Sequence, residues 1–413
     1  MPSDKEWFTF ARWGKEYVNS AQVAIDMLDK KSSVFSDRPV LVMAGELVGW
    51  KRVLGLTPYG ARFRDYRRRA YQLFGNNAAM KQFLPLEELE TRRAISLRII
   101  YGYEIQEEED PFVELAQQAM YQFSLSIASG RFLVNLIPSL RYIPDWFPGA
   151  EFKRIAKSWA STRKDMVEKP YEYVKQQMST GEARTSFTSK QLDACTSAEG
   201  EVNIKWLVAS LYSSGVDTTA ASIYAFFKAM VLFPEVQVKA QAEIDAVVEN
   251  DRLPGFDDRE RLPYINALVL EVSRWHAVTP TGVPHCVTED DVHSGYFIPK
   301  GSIVFANIWN MLHDPTVYDQ PFGFKPERFI RTEIKEPEFD PYEVLFGFGR
   351  RICPGRVLAD ASIFISCAMV LAVFNISKYY CEDGIVFEPD TETTSGAVRN
   401  EKAFGLINEE RFA

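Results

Sequence analysis

The stretch Phe346-Gly347-Phe348-Gly349-Arg350-Arg351-Ile352-Cys353-Pro354-Gly355 presents one cysteine among glycines and beside two arginines. A sulfur ligand must be exposed to its metal, held as a thiolate, and carried on backbone thin enough for a flat macrocycle to approach. Gly347, Gly349 and Gly355 permit that approach. Arg350 and Arg351 supply charge that favours thiolate over thiol, and either could pair with a carboxylate on a cofactor. The apolar run from Val357 reads as a buried helix opening after Gly355, whose N-terminal dipole also favours an anion. Two plainer readings stand beside this one. A lone cysteine is most often a buried one, and zinc requires a second Cys or His at ligand spacing, which this neighbourhood lacks.

A second stretch, Ser213-Ser214-Gly215-Val216-Asp217-Thr218-Thr219, interrupts an apolar segment over residues 203–233. Glycine, an acid and paired hydroxyls are poor helix material, with Gly215 alone costing ~1 kcal/mol. A patch of small residues at a helix contact, its threonines bonded back to the preceding turn, balances a functional reading. Glu271 and Arg274 share a helix face, where an exposed pair contributes about a few tenths of a kcal/mol. Arg62, Arg64, Arg67, Arg68 and Arg69 follow Pro58-Tyr59-Gly60 and, on composition alone, make a solvated basic helix.

Positioning these residues requires a large scaffold. The 413 residues are 46% apolar with no break in composition, so a single domain over 1–413 is expected. A net charge of −9 argues against a nucleic-acid partner. The cysteines at 195, 286, 353, 367 and 381 lack paired spacing and read as free thiols. Helical periodicity dominates: a short amphipathic helix within residues 1–17, a second capped by Asn19 or Ser20, a mostly helical region over 80–178, the long interior helix 203–233 ended by Pro234, and further helices over 234–248 and around Glu271. Residues 361–376 read as a buried core helix rather than a membrane span. Residues 179–201 read as a polar surface connection, 278–285 as extended chain, 303–309 as β-rich, and Thr393-Thr394-Ser395-Gly396 as a turn between strand-like pieces. The fold class is mainly α with small β-sheets.

The cysteine loop places Phe346, Gly349, Arg351, Cys353 and Gly355 at the spacing Phe-x-x-Gly-x-Arg-x-Cys-x-Gly, and in this resembles the haem-binding signature of cytochromes P450. Residues 214–219 are similar to the family's oxygen-activation motif, with Ser214 replacing its first small residue. Glu271 and Arg274 match its Glu-x-x-Arg motif, and Arg328 in Pro326-Glu327-Arg328-Phe329 is the matching third member. The resemblance implies the P450 fold, with haem b between the long central helix and the Cys-loop helix. It implies Cys353 as the axial thiolate on iron, Phe346 and Gly355 as part of the cofactor pocket, and Arg67, His285 and Arg351 against the haem propionates. Phe63 and Arg67 match an aromatic and arginine pair in which Trp is more usual. By the same resemblance Gly215 makes room for dioxygen, Asp217 and Thr218 organise proton delivery, and Glu271, Arg274 and Arg328 lock the loop around Cys353 for folding and haem retention. The turn 393–396 is expected to enter the substrate pocket, together with residues 53–56, Leu211, Ser214 and 278–283.

In texture the chain is most similar to fungal P450s of secondary metabolism. Family members usually carry a transmembrane anchor and hinge, a two-strand segment between the first two helices, and a longer helix near Arg92-Arg93-Ala94; the expectation is that this chain lacks all three. The resemblance implies a haem-dependent monooxygenase that inserts one oxygen atom from O2 into an apolar small molecule, with electrons from NADPH-cytochrome P450 reductase at the endoplasmic reticulum membrane. The reductase is expected on a basic face formed by Arg62, Arg64, Arg68 and Arg350. A truncated, non-catalytic remnant with impaired haem binding is the alternative, and no nucleic-acid partner is expected.

Overall fold

A computed structural model describes residues 5–14, 20–75, 81–84, 92–106, 109–128, 130–248, 252–379, 398–399 and 406–411. The expected turn at 393–396 and Cys381 lie outside the described residues. The longer helices among them are α1 (Glu6–Trp13), α2 (Ala61–Phe74), α3 (Arg92–Tyr101), α4 (Pro111–Ile127), α5 (Glu151–Thr180), α6 (Ala198–Leu232), α7 (Pro234–Val247), α8 (Pro263–Trp275) and α9 (Arg356–Val373). Strands β1 (His285–Cys286), β2 (Asp291–His293), β3 (Tyr296–Ile298), β4 (Ile303–Val304), β5 (Phe374–Lys378) and β6 (Leu406–Glu410) form three antiparallel pairs, β1 with β4, β2 with β3 and β5 with β6. The expected class, mainly α with small sheets, is the one observed.

Helix α6 is the spine. It begins earlier than its apolar run, because Ser197 caps it by accepting from Gly200 N at 3.1 Å and Glu199 and Glu201 favour the first-turn dipole. The polar stretch 179–201 is therefore not only connection: it also holds the helix Phe187–Asp193, capped by Ser186 through Ser189 N at 3.1 Å. One apolar cluster takes α6 from Ile204 to Val216 together with residues from the 42–56 loop and from α2, α3, α4 and α5. A second takes it from Ile223 to Val231 together with α7, α8 and α9. Residues 217–222 belong to neither cluster, so the spine crosses from one core to the other at the motif singled out in the sequence.

Helix α9 is long and apolar enough to cross a bilayer, yet it packs on α6, α7 and α8 and contributes Ile363, Phe364, Cys367 and Leu371 to the second core. Burial of each such side chain contributes about 1.5–3 kcal/mol, which favours the core placement. The β-rich expectation for 303–309 holds only at β4. Asn307 then starts the short helix Ile308–Leu312 by accepting from Asn310 N at 3.2 Å. A third cluster gathers Trp7 of α1, Leu28, Phe35 and Trp309 beneath these short elements.

Candidate haem-thiolate site

The cysteine loop is shaped by its backbone. Cys353 N donates to Phe346 O at 2.7 Å, closing the loop on itself. Gly347 and Gly349 have φ of 76° and 50°, the left-handed region that favours glycine. Their roles differ. A Cβ on Gly349 would stand 2.6 Å from Leu28 O and 2.9 Å from Ser32 Cβ, so this glycine serves the approach of chain to chain, not of a macrocycle. A Cβ on Gly347 would find nothing nearer than Arg351 O at 3.9 Å, and one on Gly355 would meet Cys353 Sγ at 4.0 Å.

The charges around the sulfur are also not the adjacent arginines. Arg350 lies over the Tyr59 ring, 5.0 Å from its centroid, and Arg351 over the Phe63 ring, 3.8 Å from its centroid. The thiolate of Cys353 is favoured by the Gly355 N–H and then by the cations Arg67 and Arg356. Burial outweighs them and pushes the free thiol up, so the anion needs a bound cation to hold it. Arg67 reaches the loop directly, donating Nη1 to Ile352 O at 2.5 Å. Sequence spacing placed Arg67 on a helix with four other arginines; only the packing of α2 against the loop separates it from the exposed Arg62, Arg64 and Arg68.

Arg351 is buried and donates Nε to Ser36 O at 2.7 Å, while its Nη1 and Nη2 have no partner. Burial and the nearby Arg67 lower its pKa to about 10, with Asp37 opposing. A buried guanidinium whose two outer nitrogens are unpartnered fits a planar carboxylate. His285 stands in the same corner. Its Nδ1 donates to Phe35 O at 2.6 Å, and burial, with Arg38 and Arg351 beside it, lowers its pKa to about 3. The ring is neutral as it stands, so the positive charge here comes from Arg351 and from Arg38, a residue outside every motif named above. Buried Arg38 donates to the carbonyls of Gly55, Val283 and Pro284 at 2.9, 2.6 and 2.7 Å.

On α6 the motif stays helical throughout. Ser214 is exposed between buried Ser213 and half-buried Gly215, and Asp217, Thr218 and Thr219 are half-buried as well. These residues therefore lie on a solvent-accessible side of the helix. Thr218 donates Oγ1 to Ser214 O at 2.8 Å, the bond back to the preceding turn. The space beside Gly215 is limited by Ser96 Oγ, 3.2 Å from a Cβ built there, so glycine also allows close packing of α3 on α6. One turn earlier Ser210 accepts from Leu54 N at 3.0 Å and fixes the 53–56 loop to the spine. Val53, Leu56, Leu211 and Val278 are buried.

The expected triad is assembled and buried. Arg274 donates Nε and Nη2 to the two Glu271 oxygens at 2.7 and 2.9 Å, and Arg328 donates Nε to Glu271 Oε2 at 3.1 Å. Glu338 is a further member, accepting from Arg328 Nη1 at 2.6 Å. The remaining bonds of Arg274 run to the carbonyls of Leu312, Pro321 and Gly323, so the triad fastens the chain before the cysteine loop. The loop's outer side opens into a cleft of about 340 Å³ that includes Asp29, Asp340, Glu343 and Asp360, acids that the reading of a basic face overlooked.

The set of groups fits haem: a single thiol on a glycine-bearing loop, and a buried guanidinium prepared for a carboxylate. The comparisons agree. A family model described as Cytochrome P450 matches residues 91–404. Cytochrome P450 monooxygenase 208 of Postia placenta is 47% identical over 98% of this chain and 86% of its own length. Cytochrome P450 monooxygenase claR of Ampulloclitocybe clavipes is 43% identical over 98% and 82%, and Cytochrome P450 monooxygenase ppsD of Aspergillus oryzae 39% over 96% and 80%. The alignment with the Postia protein runs over 440 positions against 413 residues here, so that relative carries residues within the aligned span that this chain lacks. With match and geometry in accord, the chain belongs to the cytochrome P450 family of haem-thiolate monooxygenases.

Proposed function

We propose that the protein inserts one oxygen atom from O2 into an apolar small molecule of fungal secondary metabolism, using electrons from NADPH-cytochrome P450 reductase at the cytosolic face of the endoplasmic reticulum. The observation that carries this reading is the buried, carboxylate-ready end of Arg351 two residues before the only cysteine of the loop. In this reading Cys353 ligates the iron of haem b, and Arg351 and Arg67 hold its carboxylates, with Phe346 and Gly355 completing the pocket. His285 joins them by taking up a proton on its second ring nitrogen when a carboxylate lies beside it. When bound, haem supplies the activation of O2.

The chain's own residues would orient and protonate. Thr218 Oγ1 gives its hydrogen to Ser214 O and keeps lone pairs free to accept from water, so rotation of one hydroxyl is enough to pass a proton into the space that Ser214 borders. Asp217, the preceding residue, would recharge it by taking a proton from solvent water and passing it on as the carboxylic acid. Apolar Val53, Leu56, Leu211 and Val278 exclude water from a hydrocarbon-like substrate. The reductase is assigned to the face where α2 and the cysteine loop meet. Arg64 and Arg350 share the Tyr59 ring there, at 5.9 and 5.0 Å, with Arg62 and Arg68 exposed beside them. Charge reversal at Arg62, Arg64 and Arg68 should slow haem reduction at unchanged haem content; an unchanged rate would place the partner elsewhere.

The test of the whole reading is the spectrum after reduction and carbon monoxide addition, for the parent and for Cys353→Ser. A strongly red-shifted thiolate-haem band in the parent alone is the expected result. The second reading, a non-catalytic remnant, is favoured by the residues that the Postia relative carries within the aligned span and this chain lacks. It requires no such band in either protein.

A further inference from the structure

Residues 34–38 are woven into residues 283–288. Thr288 N donates to Val34 O at 3.0 Å and Cys286 N to Asp37 O at 2.9 Å. His285 Nδ1 donates to Phe35 O at 2.6 Å, and Arg38 Nη1 to Val283 O and Pro284 O at 2.6 and 2.7 Å. The carbonyls on both sides of Ser36 are thereby used, and the carbonyl of Ser36 accepts Arg351 Nε at 2.7 Å. Two kinds of donor remain without a partner on this anchored pair: Ser36 Oγ, on a residue 1% exposed, and Arg351 Nη1 and Nη2.

Native interiors seldom leave such donors unmade, and here two hydrogen-bonded residues offer a hydroxyl and a cationic fork. A cation cannot be their ligand. A carboxylate accepts through two oxygens with about four lone-pair sites, enough for the fork and the hydroxyl together. The guanidinium cannot swing away, because its Nε is fixed to the backbone of the very residue that carries the hydroxyl. The bonds accepted by Phe35 O and Asp37 O hold that residue in place from both sides.

We propose that Ser36 is a further cofactor-holding residue, whose hydroxyl joins the outer nitrogens of Arg351 on one haem carboxylate, and that Arg38 positions the pair through the carbonyls of Gly55, Val283 and Pro284. This rests on the reading that the chain holds haem. Charge-assisted hydrogen bonds of this type change an equilibrium about tenfold or more.

The test uses the holoenzyme with Ser36→Ala and Ser36→Thr variants. Haem loss to excess apomyoglobin is timed, and resonance Raman spectra record the propionate bending bands. Ser36→Ala should lose haem about tenfold faster, with one propionate band shifted, and Ser36→Thr should restore both. The unfolding midpoint of the chain prepared without haem should not fall in Ser36→Ala, since an unpartnered hydroxyl has been removed. Unchanged haem loss overturns the proposal. Faster loss with unshifted propionate bands and a lower midpoint without haem also overturns it, by showing a merely structural serine. A parent chain that shows no thiolate-haem band overturns the reading beneath it, a result distinct from either.

Discussion

The guanidinium of Arg351 lies 3.8 Å from the centroid of the Phe63 ring. The aromatic on α2 thus acts as a shelf for the arginine of the cysteine loop, and the ring face is what it contributes. A desolvated contact of this type stabilises by about 1–2 kcal/mol. Phe63→Leu keeps most of the apolar volume and loses the face. Its thermal midpoint should drop and its haem should leave faster, while Phe63→Trp keeps the contact and retains haem like the parent. If Phe63→Leu holds haem as long as the parent, the ring is filler.

Gly347 and Gly349 share a positive φ and differ in surroundings, which separates two effects that are usually confounded. An alanine at either position bears the left-handed cost of about 1–2 kcal/mol. At Gly349 it also drives its Cβ to 2.6 Å from Leu28 O, and backbone must move. Gly349→Ala should therefore yield little folded protein, with Gly347→Ala folding at reduced stability. Soluble yield and urea midpoints measure both; equal losses would mean that the contact with residues 28–32 is easily relaxed.

How far the sequence could be read follows from where each constraint originates. Cys353, the 214–219 motif and the pair Glu271 and Arg274 sit in short local patterns, and the fold class follows from periodicity over long segments. Arg328 could be named only because the family pattern supplies it. Which arginine faces the sulfur could not be read, because Arg67 arrives from α2 and Arg356 from α9, while the adjacent Arg350 and Arg351 turn toward Tyr59 and Phe63. Ser36, Arg38 and Glu338 carry no local signature; Ser36 and Arg38 meet partners far away in the chain, and Glu338 meets Arg328, whose own place comes from the family pattern. The start of α6 was hidden because its first turn is polar, although Ser197 followed by Glu199 and Glu201 is a readable cap.

The buried triad gives the largest expected stability effect. Glu271, Arg274 and Arg328 have side chains at most 1% exposed. Arg274→Met leaves Glu271 with only part of its countercharge and frees the carbonyls of Leu312, Pro321 and Gly323, a loss of about 3–5 kcal/mol. Glu338→Gln keeps a hydrogen-bond acceptor for Arg328 and should cost roughly 1–2 kcal/mol. Urea unfolding of the two variants should show this order. The reverse order would move the weight of the network from Glu271 to Glu338.

His313 gives the chain an acid sensitivity that can be isolated by one substitution. The ring is buried, stacks on Trp309 at 4.6 Å between centroids, and donates Nδ1 to Trp309 O at 2.8 Å. Burial, with Arg274, Arg399 and His276 nearby, lowers its pKa to about 3. An unfolded histidine titrates near ~6.5, so between these values the unfolded chain binds the extra proton. The contribution is present above pH ~6.5 and is lost progressively as pH falls toward 3, by at most about 1.4 kcal/mol per pH unit. His313→Gln retains a donor for Trp309 O and removes the titration. Between pH 7 and pH 5 the variant should lose about 2 kcal/mol less unfolding free energy than the parent. Parallel losses would show that His313 titrates alike in the folded and unfolded chain and is not held neutral by its burial.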